Sequence, residues 1–154
     1  MLNLITDRTA RDVARWKELK AKPYESMTAS ERNEWLSGKG AYNYTDMNRV
    51  EDAVFYLNDL LAQYNYGVKL LDKRNWTATD VPTVSDMTRY IENVKRIREA
   101  LAQFSDTPPA PASMQKLTYT SANNIEQILA DVEQLIANMV ASFTVSGEIY
   151  GGEM

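Results

Sequence analysis

The chain has 154 residues, sets 17 Lys+Arg against 21 Asp+Glu for a formal charge of −4, and contains neither Cys nor His. That composition excludes a thiolate nucleophile, an imidazole base, a disulfide and the usual zinc ligands, and with them most common catalytic constellations. A charge this mild is no footprint for nucleic acid, and 44% hydrophobic residues suffice for the core of one domain, expected over 1–154.

In chain order, residues 1–6 alternate weakly around Leu2, Leu4 and Ile5 and read as an extended N-terminal arm. The helical body then occupies residues 9–143. Thr9 with Asp12 has capping-box spacing, and Val13, Trp16 and Leu19 form a stripe on a helix ending before Pro23. Thr28 with Glu31 opens a second helix carrying Trp35 and Leu36 and stopped by Gly38 and Gly40, so the first two helices are expected to form a hairpin. The third helix is predicted from Thr45 to Tyr64, because Val50, Ala53, Val54, Leu57, Leu60 and Leu61 share one face. Gly67 ends it. Val68–Leu71 is a short apolar run that reads as a lone strand, and Thr77–Asp80 is a single turn halted by Pro82.

Thr83 with Asp86 caps a fourth helix whose stripe runs through Met87, Tyr90, Ile91, Val94, Ile97, Leu101 and Phe104. The prolines at 108, 109 and 111 make the next segment a stiff connector. The fifth helix, Thr120 to about Phe143, carries the broadest apolar face, including Ile125, Ile128, Leu129, Val132 and Ile136, and is expected at the centre of the bundle. From Thr144 to Met154, β-branched residues interrupted by glycines predict an extended tail. The expected fold is all-α, a bundle of about five helices built from helical hairpins with an extended arm at each end.

Two segments echo each other, Tyr44-Thr45-Asp46-Met47-Asn48-Arg49-Val50-Glu51 and Tyr119-Thr120-Ser121-Ala122-Asn123-Asn124-Ile125-Glu126. Both open a helix, with Thr45 and Thr120 as expected N-caps and an approximate two-fold relation between the two starts. Glu51 and Glu126 occupy equivalent places, so helix starts brought together would juxtapose two carboxylates, the raw material of acid/base or divalent-metal chemistry. The plainer reading is that Asn48/Glu51 and Asn123/Glu126, one turn apart, buttress the helix starts. Catalytic, cofactor-binding and metal-binding residues are accordingly expected to be none. Of the nine Tyr, Tyr42, Tyr44, Tyr64, Tyr66 and Tyr119 are candidates for a binding surface, against the plainer reading that they edge the core. Lys95, Arg96 and Arg98 read as a solvated face, and Gly38-Lys39-Gly40 as a turn rather than a phosphate loop. No apolar run approaches the roughly 18 residues of a membrane span, so a soluble protein without an export signal is expected.

Leu4-Ile5-Thr6-Asp7-Arg8-Thr9, Gly40-Ala41-Tyr42-Asn43-Tyr44-Thr45-Asp46-Met47, Asn75-Trp76-Thr77, Leu117-Thr118-Tyr119, Asn123-Asn124-Ile125-Glu126 and Ser146-Gly147-Glu148-Ile149-Tyr150 together resemble an uncharacterised family of small virion proteins. That family is encoded among tail and baseplate genes of phages and prophages of Gram-positive gut bacteria. The resemblance implies a structural part of a tailed phage or phage-like particle, located in the virion, partnered by other virion proteins and by copies of itself. It brings no catalytic residues with it. Leu2, Leu4, Ile5, Ile149 and Tyr150 are more apolar than solvated ends require and are the expected interface. A tail module that binds a host-surface carbohydrate through exposed tyrosines, and an intracellular phage protein that blocks a host factor, are the competing expectations. An enzyme is the least expected class.

Overall fold

A computed structural model describes the backbone of residues 1–152 and the side chains of residues 1–143. It contains α1 (Ala10–Lys20), α2 (Ala29–Ser37), α3 (Tyr44–Gln63), α4 (Val84–Glu99) and α5 (Tyr119–Gly152), with one 3-10 turn at Tyr24–Ser26. The described residues form no strand, and the protein is a small all-helical bundle.

Three of the predicted caps stand where their spacing put them. Thr9, Thr28 and Thr83 each accept from the backbone N–H three residues on, and Asp12 and Asp86 reciprocate to close capping boxes at α1 and α4. The Thr83 backbone N–H, then its hydroxyl, hold the Asp86 carboxyl below its ordinary range. The echoed starts differ from expectation. Asn43, not Thr45, caps α3: its side chain accepts from the N–H groups of Thr45 and Asp46, and Asp46 answers the Asn43 N–H. In α5 the Thr118 hydroxyl accepts from Ser121 N–H at 3.1 Å and its carbonyl from Ala122 N–H at 2.9 Å, which leaves Thr120 inside the first turn. Both caps lie two residues earlier than predicted, because Asn43 and Thr118 can leave the helix while reaching back to its free donors. Asn43→Ala and Thr118→Ala should each cost about 0.5–2 kcal/mol in chemical denaturation, whereas Thr45→Ala and Thr120→Ala should cost far less.

The hairpin expectation holds for α1 and α2, which pack together with Arg15 bridging to Glu34 at 2.7 Å and Trp16 stacked on Trp35 at 5.8 Å. Gly40 allows the following turn to lie against α1, since a Cβ there would come within 2.1 Å of the Asp12 carbonyl oxygen.

The three long helices are not hairpins. After α3 the chain returns along it, with Val68 opposite Asn58 and Trp76 opposite Asn48. The same segment runs antiparallel to α4, with Lys69 opposite Arg96, Leu71 opposite Asn93 and Asp72 opposite Arg89. So α3 and α4 are parallel. The connector between α4 and α5 behaves likewise, with Thr107 beside Arg98 and Asp131 and Met114 beside Met87. The echoed starts therefore lie on parallel helices at one end of the bundle, which replaces the expected two-fold pair of hairpins.

The N-terminal arm supplies a third extended segment. Leu2 N–H donates to Glu133, Ile5 N–H to Glu126 and Arg8 N–H to Asn123, so the arm runs antiparallel to α5. Three parallel helices thus enclose three grooves, each occupied over part of its length by an extended segment. The core lies between them, with Val50, Leu57, Leu61, Val94, Ile97, Ile125, Ile128 and Leu129 all at 0% exposure.

Two further boundaries differ from expectation. Helix α4 stops at Glu99 instead of continuing through Leu101 and Phe104, because the Gln103 amide caps the Arg98 carbonyl while the Arg98 guanidinium turns to the carbonyls of Thr107 and Pro108. The backbone of α5 continues as helix to Gly152, where an extended tail from Thr144 was expected. Once a helix is nucleated, each further residue gains a hydrogen bond for one residue fixed, so propagation outweighs weak local propensity. Glu153 and Met154 lie outside the described residues.

Candidate functional site

Acidic residues set on apolar helix faces need buried partners, and those of the echoed segments have them. Glu126, at 0% exposure between Ile125 and the core, accepts from Arg49 Nε at 2.6 Å, from Arg8 Nη2 at 2.8 Å and from the Ile5 N–H at 3.1 Å. Asp46 closes the group, 3.1 Å from Arg8 and 2.6 Å from Arg49. Burial works against the Arg49 charge, but its hydrogen bonds to Glu126 and Asp46 outweigh that penalty and raise its pKa. Glu51 accepts from the Trp76 indole N–H at 2.7 Å and from Arg89.

Neither carboxylate bonds the asparagine one turn before it. Asn48 instead holds both backbone groups of Trp76, and Asn123 both backbone groups of Arg8. Asn58 and Asn93 clamp Val68 and Leu71 in the same way. Four asparagines therefore satisfy the extended segments that no strand pairs with. The two glutamates are saturated by cations and sealed from solvent, so they pin the arm and the crossover instead of offering a reactive pair. Among the described residues no group of three acidic side chains forms a metal-ligand cluster.

The tyrosines divide. The Tyr42 and Tyr90 hydroxyls bond each other inside the bundle, and burial pushes both phenols above their ordinary range. A phenol with a raised folded pKa contributes stability that is complete below the unfolded value near about 10 and is lost as pH rises beyond it. In an alkaline absorbance titration, two tyrosines should stay silent until unfolding, and Tyr42→Phe with Tyr90→Phe should remove that delay.

Trp16, Tyr42 and Tyr119 share a cavity of about 620 Å³ between the α1–α2 hairpin and the bundle. One face of Trp16 is stacked on Trp35 and Arg8 lies over the Tyr42 ring at 5.5 Å, so the rings do not form a free sugar platform. Tyr44 and Tyr66 stand exposed.

An open apolar groove of about 800 Å³ lies between α3 and α5, bordered by Met1, Leu2 and Leu4 of the arm. Tyr56 and Leu60 of α3 and Tyr64 at its C-cap face Ile136, Ala137 and Ala141 of α5 across it. Leu2 and Leu4 border this groove but pack on the protein's own core, and the Ile5 backbone is held by Glu126. Within the single chain the arm thus packs along α5, where the α3–α5 groove buries part of its apolar surface. The side chains of Ile149 and Tyr150 lie outside the described residues. Compared with known protein families, curated proteins and solved structures, the chain matches none.

Sequence reasoning missed the buried ion pairs of Arg8, Arg49 and Arg89, and it gave Asn48 and Asn123 to their own helix starts instead of the extended segments they clamp. The available signal was a glutamate on each apolar face, which requires a buried cation somewhere in the chain.

Proposed function

We propose that this protein is a structural part of a tailed phage or phage-like particle that works by protein–protein contact through the α3–α5 groove. The observation that carries the contact reading is that groove, an apolar channel of about 800 Å³ lined by aromatic and aliphatic side chains from two helices. The glutamates that could have supported chemistry are each neutralised and enclosed. The particle itself rests on the family resemblance of the segments around Tyr44, Trp76 and Tyr119. Among the described residues no helix is long and apolar enough to cross a membrane.

Mass spectrometry of purified particles tests the reading. The protein should copurify at fixed stoichiometry with tail components, and its absence from particles made by a host that expresses it would overturn the proposal in favour of an intracellular role. Removing residues 147–154 should leave the bundle folded by circular dichroism and abolish its incorporation.

A further inference from the structure

We infer that the cavity of about 620 Å³ between the α1–α2 hairpin and the bundle binds a small molecule that joins a carboxylate or phosphate to a flat aromatic ring. This site is separate from the α3–α5 groove and stands whether or not that groove makes a protein contact.

Its wall is assembled from four parts of the chain. On α1, Val13 and Lys17 are four residues apart and so share a face, with Trp16 beside them. Lys39 and Tyr42 come from the turn that Gly40 allows to lie against α1, Arg8 from the segment leading into α1, and Tyr119 from the first turn of α5. A space of this size falls within the roughly 300–1,000 Å³ of small-molecule sites.

Charge sets the class of ligand. Three basic side chains, those of Arg8, Lys17 and Lys39, line this cavity and no acidic one does, in a chain whose formal charge is −4. By contrast, the α3–α5 groove includes Glu133, and the hollow between α4 and the connector sets Glu92 against Lys95. Asp46 and Glu126 balance Arg8, and Asp7 pairs with Lys39 at 2.9 Å, whereas Lys17 forms no ion pair among the described residues. The cavity therefore carries an uncompensated positive charge at Lys17.

Arg8 adds a donor instead of a charge. It is 4% exposed, its Nη1 is held by the Ile5 carbonyl and its Nη2 by the two carboxylates, and its buried Nε–H has no acceptor. A buried donor without a partner costs free energy, and an anion in the cavity supplies the missing acceptor. The start of α5 lies in the same wall. Thr118 takes up the N–H groups of Ser121 and Ala122 and leaves that of Tyr119 without an intrahelical partner. The ring of the ligand follows from the aromatic lining. Trp35 and Lys20 flank Trp16, and Arg8 lies over Tyr42, which leaves ring edges to the ligand, and the positive edge of one aromatic ring favours the negative face of another.

Heteronuclear NMR of the full chain tests this through the Trp16 indole N–H, with that of Trp76, bonded to Glu51 in the core, as internal reference. Phenyl phosphate and benzoate are the probes, and inorganic phosphate, acetate and phenol are their separated halves. At least one probe should shift Trp16 saturably, leave Trp76 in place and bind about tenfold or more tighter than any half. The tighter of the two probes identifies the acidic group. Lys17→Glu, at an exposed position, should weaken that binding roughly tenfold or more, whereas Lys95→Glu, the same charge change beside the other hollow, should leave it unaltered. No saturable Trp16 shift by either probe at millimolar concentration would overturn the inference. So would binding that one of the halves matches, or that Lys17→Glu leaves intact.

Discussion

Glu126→Gln is expected to lower the unfolding free energy by about 3–5 kcal/mol, the range for breaking a buried ion pair from one side. The size follows from what remains. Among the described residues, Arg8, whose side chain is 2% exposed, and Arg49 would share Asp46 as their remaining acidic partner, and Arg8 Nε already lacks an acceptor. The loss extends beyond Coulomb attraction, since the Ile5 N–H also donates to Glu126. Equilibrium urea unfolding measures it, with Lys39→Ala as a surface control: Lys39 pairs with the exposed Asp7, and removing a pair of that kind costs little. A change for Glu126→Gln no larger than the control would show that the buried cluster is not stabilising as a unit.

Leu129→Ala should cost about 2–5 kcal/mol, because Leu129 is completely buried on α5 among residues from α3 and α4 and truncation leaves a cavity that the packed helices close only in part. Denaturant titration with an unchanged m-value would assign the effect to the native core. A loss below about half a kcal/mol would place Leu129 at a site that collapses freely.

Both residues were visible in the sequence, for different reasons. Leu129 belongs to a repeat at three- and four-residue steps, which is a local property, and the same logic located the five helices and the caps at Thr9, Thr28 and Thr83. Glu126 was visible as part of an echo, but its partners were not, since Arg8 lies far along the chain and Arg49 carries no local mark. Helix direction was also hidden. Periodicity gives a helix its buried face but does not say whether the next helix runs up or down, so the crossovers after α3 and α4 read as a stray strand and a stiff connector. The backbone groups of the first crossover are satisfied by Asn48, Asn58 and Asn93, and an asparagine within a helix gives no sign of whether it faces solvent or a passing segment. The candidate groove was illegible for the same reason, since it exists only where two parallel helices face each other beside the arm.

The arm lying along α5 has a consequence for how the protein is made. Leu2 and Glu133 are 131 residues apart in sequence, so the arm leaves the ribosome well before the helix that supplies its binding surface. Until α5 emerges, Arg8 lacks Glu126 as its counter-ion and the apolar residues of the arm have no groove to fill. Closing so long a loop is entropically slow, and topologies dominated by such distant contacts fold late. The nascent chain can complete α1 and α2 early, while the bundle end that holds the arm waits for α5. The bundle is therefore sealed around the arm only once α5 has emerged.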